Sequence, residues 1–400
     1  MATPFQYVSL FSGCGGFDIG FSQAGFECAG AIDIDKKALS VLESNLGGPV
    51  YNFDLSTGEL PNALPKFVDV VLAGSPCQGF STLGKRKIDD PRNALLLAGG
   101  RAAIKLRAKV FVAENVLAVR SGAHRKYWDE LKDVLVNGGY KLEESIIDSR
   151  NLGIAQSRRR VFLIAWKDRE FSGLIQPALP KTNLRQALEN VAGLPNHHPT
   201  WLVDKSPESI ISSRILPGHK LSNVRSGSKS IHTWNIPEVF GHVSEEEKSI
   251  LNEIIGIRRR LRVRDNGDAD PLPFNYAIEK FGSDHINRLL ASGYLKFIGE
   301  DKKFIDLANG FNGKFRRPEW DSHSITVDTK FCNPKYYLHP GEHRGFSTRE
   351  AARIQGFPDD FIFGNNNHDA TLIGNAVAPP VARFIANYIM ENLLDGTQRA

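Results

Sequence analysis

Short apolar runs alternate with stretches of helical periodicity through the first 170 or so residues. Tyr7-Val8-Ser9-Leu10 reads as a buried strand that runs into a glycine-rich loop, and a helix is expected from about Phe17. Cys28 to Ile32 reads as a second strand. Asp35 to Asn45 reads as a helix, because Ala38, Leu39 and Leu42 fall on one face. Val68-Asp69-Val70-Val71-Leu72, Val110-Phe111-Val112-Ala113 and Val161-Phe162-Leu163-Ile164-Ala165 read as further buried strands, with helices expected over 94–106 and 127–136. This alternation predicts an α/β fold with a doubly wound, mainly parallel sheet.

The pattern changes near Phe171. Pro, His, Ser and Gly crowd residues 176–244 and the periodicity weakens. A charged amphipathic helix is expected over Ser244 to Val263 and a short one over Asp284 to Ser292, where Ile286, Leu289 and Leu290 share a face. Leu295 to Ile298 and Phe304 to Leu307 flank a Gly299-Glu300-Asp301 turn, as in a hairpin. Helix plus hairpin resembles a winged-helix element, which would suit contact with DNA. A small α+β packing unit accounts for the same pattern.

A chain of 400 residues is too long for one ordinary core and fits two domains. Apolar residues at 41% and charged residues at 24% indicate a chain that folds. No run of about 18 apolar residues is present, so no membrane span is expected. Met1-Ala2-Thr3-Pro4-Phe5 lacks the basic segment and apolar stretch of a signal peptide. Cys14, Cys28, Cys77 and Cys332 match neither a zinc pattern nor a disulfide framework, as expected of a cytoplasmic protein with reduced thiols. His197-His198 lack partners at ligand spacing, so no metal is expected. The net charge of +5 permits an anionic partner without requiring one.

Candidate chemistry sits at the strand ends. The first strand runs into Phe11-Ser12-Gly13-Cys14-Gly15-Gly16-Phe17, where glycines allow a tight turn and a close ligand before a helix N-terminus. Asp33 follows the second strand, about 20 residues on, where a carboxylate can accept from ribose hydroxyls. Asp54, after the third strand, could meet an adenine amine. These features suit a nicotinamide dinucleotide and S-adenosylmethionine equally, and a plain strand-to-helix turn would also account for the loop.

Gly74-Ser75-Pro76-Cys77-Gln78-Gly79-Phe80-Ser81 follows the strand ending at Leu72, at the carboxyl edge where parallel sheets bind ligands. A cysteine at a helix start, with Lys85-Arg86-Lys87 close by, would gain thiolate character. A lone cysteine is as readily a buried structural residue. Glu114-Asn115-Val116 ends the neighbouring strand, so Glu114 would face the same crevice, partly desolvated, unless it caps a helix or joins a salt bridge. In Gln156-Ser157-Arg158-Arg159-Arg160, alternate arginines Arg158 and Arg160 would point the same way on extended chain. Either guanidinium could hold a base carbonyl or a phosphate. Three adjacent arginines are also a common solvated surface.

Taken in order, these elements resemble the DNA (cytosine-5) methyltransferase family, of the bacterial restriction-modification type. The matching segments are LFSGCGGFDIGF at 10–21, GSPCQGFS at 74–81, ENV at 114–116, QSRRRVFLIA at 156–165, STREAARIQGFPDDF at 347–361 and IGNAVAPPVA at 373–382. Between 171 and 345 only FNGKFRRPEWDSHSITVD at 311–328 matches, and there the family keeps its variable target recognition domain. Asp33 stands where the family usually has glutamate, Ala155 where proline is common, and His323 where Pro-Ser is usual.

The resemblance implies a catalytic and cofactor-binding domain over 1–170, completed by 371–400, with a target recognition domain and hinge over 171–370 and a DNA cleft between them. Cys77 would be the nucleophile, Glu114 would hold N3 of the target cytosine, Arg160 its carbonyl, and Arg158 would support the site. Phe11, Gly13, Gly15 and Gly16 would enclose S-adenosylmethionine, with Asp33 on its ribose, Ile34 over its adenine and Asp54 at the adenine amine. Leu55, Pro76, Asn375 and Val377 would complete that pocket. The implied partner is double-stranded DNA, bound by a monomer, with possible functional pairing with a restriction endonuclease. A cysteine that must reach a base requires the base to rotate out of the duplex. Without the long regulatory extension of animal enzymes, a bacterial or phage source is expected. An RNA cytosine methyltransferase is the nearest alternative, disfavoured by the long variable region. A nicotinamide-dependent oxidoreductase would leave the Pro-Cys and Glu-Asn-Val elements unused, and an inactive DNA-binding module would not need Cys77, Glu114 and Arg160 together.

Overall fold

Alternate residues of the central strands are buried on opposite faces, which needs helices on both sides of a sheet. In the computed structural model, which describes residues 3–76, 95–122, 125–170, 173–225, 227–264 and 269–394, seven strands form that sheet. They are β1 (Gln6–Leu10), β2 (Glu27–Asp33), β3 (Val50–Asn52), β4 (Val70–Ala73), β5 (Val110–Val116), β6 (Lys141–Asp148) and β7 (Arg159–Trp166), in the order β3-β2-β1-β4-β5-β7-β6. The five strands from β3 to β5 in that order are parallel, and β7 runs antiparallel to both β5 and β6. The doubly wound, mainly parallel sheet expected from the sequence is present. The apolar pattern did not announce β6. Its Lys141-Leu142-Glu143-Glu144 stretch is only half-buried, because β6 is an edge strand.

One face of the sheet presents Tyr7, Val70, Leu72, Val110, Val112, Phe162 and Ile164. It is covered by Phe17 and Phe21 of helix α1 (Gly16–Gln23) and by the helix Pro379–Ile389, through Val381, Ala382 and Ile385. The other face presents Val8, Leu10, Val71, Ala73, Phe111, Ala113 and Leu163. Leu96 and Ala103 of the helix Leu95–Lys105 cover it, with Leu131 and Leu135 of the helix Arg125–Asn137. Each fully buried aliphatic or aromatic side chain contributes about 1.5–3 kcal/mol. The chain leaves β1 outward to β2 and β3, then crosses to β4 on the other side of β1. The carboxyl ends of β1 and β4 therefore flank the point where strand order reverses, where such sheets bind ligands.

The chain divides into two compact units: Met1–His198 with Asp321–Lys330 and Ser347–Ala400, and Pro199–Trp320 with Phe331–Phe346. Residues 173–198, 321–330 and 347–370 thus lie in the first unit, whereas the sequence reading grouped them with the second. Hydrogen bonds explain the difference. Ser157 N–H donates to Ser324 O and Ser324 N–H to Ala155 O, both at 2.8 Å, so that 321–330 is stitched to the approach to β7. The buried Arg349 donates to the carbonyls of Pro195 (2.8 Å), Pro358 (2.9 Å) and Phe361 (2.6 Å).

The second unit has its own cores. In one, helices Glu245–Arg260, Phe274–Phe281 and Ser283–Ala291 pack on a three-stranded antiparallel sheet in which Phe304–Leu307 lies between Leu272–Pro273 and Leu295–Ile298. The long helix starts at a capping box, with Ser244 accepting from Glu247 N–H at 3.1 Å and Glu247 accepting from Ser244 N–H at 2.9 Å. The expected hairpin and both helices are present. The strand Leu272–Pro273 and the helix Phe274–Phe281 were not read from the pattern. Lys220–Ser222, Ser230–Ile231 and Asn312–Lys314 form a second small sheet.

Candidate active site

The glycine loop leaves β1 at Phe11, whose φ of 55° is left-handed and unusual for a side-chain-bearing residue. Gly13 and Gly15 follow with φ of 56° and 90°. Open space lies where a Cβ on Gly13 would be. At Gly16 a Cβ would stand 2.3 Å from Val377 O, so only glycine lets the returning segment close over the loop.

Asp33, at the end of β2, is tied into this loop. Its carboxylate accepts Gly13 N–H and Asp35 N–H, both at 2.8 Å. Burial raises the Asp33 carboxyl, and these N–H groups oppose that shift. A carboxylate offers about four acceptor sites, so two remain for a ligand hydroxyl. Ile34 beside it is 67% exposed, which is costly for a large aliphatic side chain unless something covers it. Asn52 donates to the carbonyls of Asp33 (3.1 Å) and Ile34 (2.8 Å), fixing this turn. Asp54 is exposed and accepts Ser56 N–H at 2.9 Å, which holds its carboxyl below the usual range, while Leu55 is buried.

A second group gathers at the tips of β5 and β7. Glu114 is 8% exposed and accepts from Arg160 Nε at 3.0 Å. They line a small pocket with Ser149, Arg158, Val377, Ala378 and Val381. Asn115 is fully buried, and its side-chain amide reaches Ser75 O at 3.4 Å, which ties the β5 tip to the Ser75-Pro76 end of the β4 loop. Arg158 is also buried, and its guanidinium donates to Val327 O (3.1 Å), Gly374 O (3.2 Å) and Ala376 O (3.0 Å). It therefore fastens the 374–376 segment, including the exposed Asn375, against β7. Gln156 works alongside, accepting Val327 N–H at 3.0 Å and donating to Ile354 O at 3.3 Å. Asn115 and Gln156 stand within the segments 114–116 and 156–165, where the sequence assigns them no task. Their place within those segments was the available signal, since the burial of an amide is not visible in a sequence.

Cys77 and the Lys85-Arg86-Lys87 run lie outside the described residues. Of the other cysteines, Cys14 and Cys28 are held as thiols by burial, which pushes Cys28 up to about 12 and Cys14 further still. Among the described residues no three His, Cys, Asp or Glu side chains cluster as a metal site would need, and no helix is long and apolar enough to cross a membrane.

Residues 5–391 match the family described as C-5 cytosine-specific DNA methylase. The chain belongs to that family. It is a DNA cytosine-5 methyltransferase. The Type II methyltransferase M.HgiBI of Herpetosiphon aurantiacus is 28% identical over 429 residues, covering 94% of each chain. The Type II methyltransferase M.NgoBV of Neisseria gonorrhoeae is 28% identical, covering 97% of this methylase and 99% of the relative. Among solved structures, a protein encoded within an E. coli prophage matches with a TM-score of 0.59 at 22% identity, over 97% of this chain and 99% of that one. The Entamoeba histolytica methyltransferase EhMeth matches with a TM-score of 0.53 at 14% identity, over 98% and 99%. At such identities the structural likeness speaks for the fold, which the methylase shares from end to end.

Proposed function

We propose that this methylase transfers a methyl group from S-adenosylmethionine to C5 of a cytosine rotated out of a specific short duplex sequence, through a covalent bond between Cys77 and C6. The observation that carries this reading is the pair of buried Glu114 and half-buried Arg160 at a strand end that Asn115 ties to Ser75, on the same carboxyl edge of the sheet as the glycine loop and Asp33.

The residues present fit the cofactor. Asp33 retains acceptors for ribose hydroxyls, exposed Ile34 offers an apolar cover for adenine, and Asp54 offers a carboxylate for its amine. Phe11, Gly13, Gly15, Gly16, Leu55, Pro76, Asn375 and Val377 complete the enclosure. When bound, S-adenosylmethionine supplies an electrophilic methyl group. Cys77 attacks C6 as thiolate, and the ring's electron pair shifts so that C5 becomes nucleophilic. Glu114 gives N3 a proton or a strong hydrogen bond, and Arg160 stabilises the charge that develops at O2. Such groups are typically worth about 3–4 kcal/mol each. After transfer the C5 proton leaves, the C6–S bond breaks and the thiolate is regenerated. Arg158 acts as a positioning residue, because its donors are directed to backbone carbonyls.

The first unit would carry catalysis and the cofactor, the second the recognition of target DNA. The Type II relatives support a role in protecting host DNA beside a restriction endonuclease. In this proposal the methylase acts in the cytoplasm as a monomer. Incubation with tritiated S-adenosylmethionine and duplex DNA, RNA or no nucleic acid tests the reading. Label is expected in duplex DNA at 5-methylcytosine. Label confined to RNA, or none in either, would reject it.

A further inference from the structure

The second unit contains an arrangement that the catalytic reading leaves unused. Helix Glu245–Arg260, strand Leu272–Pro273, helices Phe274–Phe281 and Ser283–Ala291, strand Leu295–Ile298, a turn and strand Phe304–Leu307 follow in that order, with the last strand in the middle of the sheet. The two short helices are joined through Gly282 alone, at φ 85°. Helix, strand, two helices and two strands in this order match the element order of a winged helix, and they close around their own apolar core. In such motifs the second helix enters the major groove.

The exposed face of Ser283–Ala291 has the chemistry that reading requires. Ile286 and Leu289 point into the core, while Asp284, Asn287, Arg288 and Ala291 are exposed. Arginine pairs with guanine, asparagine with adenine, and a carboxylate accepts from the cytosine amine. Arg288 is braced as well as exposed. Its Nε donates to Glu247 at 2.9 Å, and Glu247 is held in the capping box of the long helix. Its Nη2 lies 2.8 Å from His285 Nδ1. A guanidinium oriented in advance loses less freedom on pairing with a base edge.

That module mixes acidic and basic residues closely, so phosphate affinity must come from elsewhere. The small sheet of the same unit provides it. Lys220 and Arg316 stand together there, with Lys314 on the strand paired to that of Lys220, and Arg316 is held in place by donating to Gly313 O at 2.8 Å and Asn312 O at 3.3 Å. A Cβ on Gly313 would be 2.9 Å from Arg316 Nε and 3.2 Å from Lys220 Cδ. Lys314 lies over the Phe311 and Tyr336 rings at 5.0 and 5.5 Å, and Arg316 over Tyr337 at 5.9 Å. Burial, then Arg316 and Arg225, push the Lys220 ammonium down. Crowding like charges costs stability, and an anion bound there relieves it.

We propose that helix Ser283–Ala291 reads base edges of the target duplex through Asp284, Asn287 and Arg288, while Lys220, Lys314 and Arg316 hold its phosphates. This rests on the reading of the second unit as the target recognition unit. The test uses the full chain with its preferred duplex, found by bisulfite sequencing, and a panel of single-base variants of it. Two doubly substituted proteins are compared with the wild type, Asn287→Ala with Arg288→Ala, and Lys220→Gln with Lys314→Gln. The first should lose about ten- to hundredfold of its preference for the cognate duplex at one or more adjacent positions, read from methylation or, where that is slow, from binding. Its salt dependence should stay close to that of the wild type. The second should keep the preference, while the slope of log K against log salt falls by about two. Preference unchanged at every position in the first protein, or an unchanged slope in the second, would overturn the proposal. A wild type that methylates no duplex DNA would instead reject the functional reading, before any substitution is made.

Discussion

Burial raises the Asp18 carboxyl to about 7, at the start of the helix that carries the glycine loop. Ser9 donates to one of its oxygens at 3.1 Å, and the other has no hydrogen-bond partner among the described residues. The folded-state value lies above the unfolded one of about 3.9, so the folded protein holds a proton that the unfolded chain has released. The contribution is intact below about pH 4 and is lost as pH rises towards 7. Asp18→Asn should therefore raise the melting temperature more at pH 8 than at pH 5, and an equal change at both would refute the assignment. Glu114→Gln keeps size and some hydrogen bonding but cannot protonate N3. Its kcat should fall by about 10² to 10⁴, with S-adenosylmethionine binding retained in calorimetry. At this scale the sequence was informative about position: it set Asp33, Glu114 and Arg160 at or near strand ends, where the structure has them. It was silent on Asp18, an acid inside an otherwise apolar helix start. It did not reveal the partners of Arg158, because the carbonyls of Val327, Gly374 and Ala376 come from remote parts of the chain.

Elements of the first unit were legible because buried parallel strands leave continuous apolar runs, as in β4 and β5. The exceptions follow from the same physics. β6 lies at an edge, half-buried, and carries no such run. Leu272–Pro273 is a two-residue strand, too short for any period to show. The returning segment was placed beside the glycine loop by resemblance, and Gly16 explains why that placement needs glycine. Gly16→Ala would set a Cβ 2.3 Å from the Val377 carbonyl, a backbone atom that cannot step aside cheaply. It should cost roughly 1–3 kcal/mol in denaturant unfolding and weaken cofactor binding. Wild-type stability with wild-type binding would mean that 376–377 does not close over the loop.

For the whole molecule, the motifs at the two ends of the chain meet in one unit, while the segment between them builds a second with separate cores. The boundary was less legible than the motifs, since hydrogen bonds of Ser324 and Arg349 decide it and composition does not. Replacing 199–320 with the corresponding segment of a relative should change the methylated sequence and leave the chemistry intact. A chimera that keeps its original target would place specificity elsewhere. The central claim is that Cys77 bonds to C6 of the cytosine it methylates, and duplex DNA carrying 5-fluorocytosine tests it directly, because fluorine at C5 cannot leave as a proton does. With S-adenosylmethionine present, the account predicts a stable protein–DNA adduct that peptide mapping assigns to Cys77 and that Cys77→Ser abolishes. An adduct on Cys14, Cys28 or Cys332, or full methylation by Cys77→Ser, would contradict it.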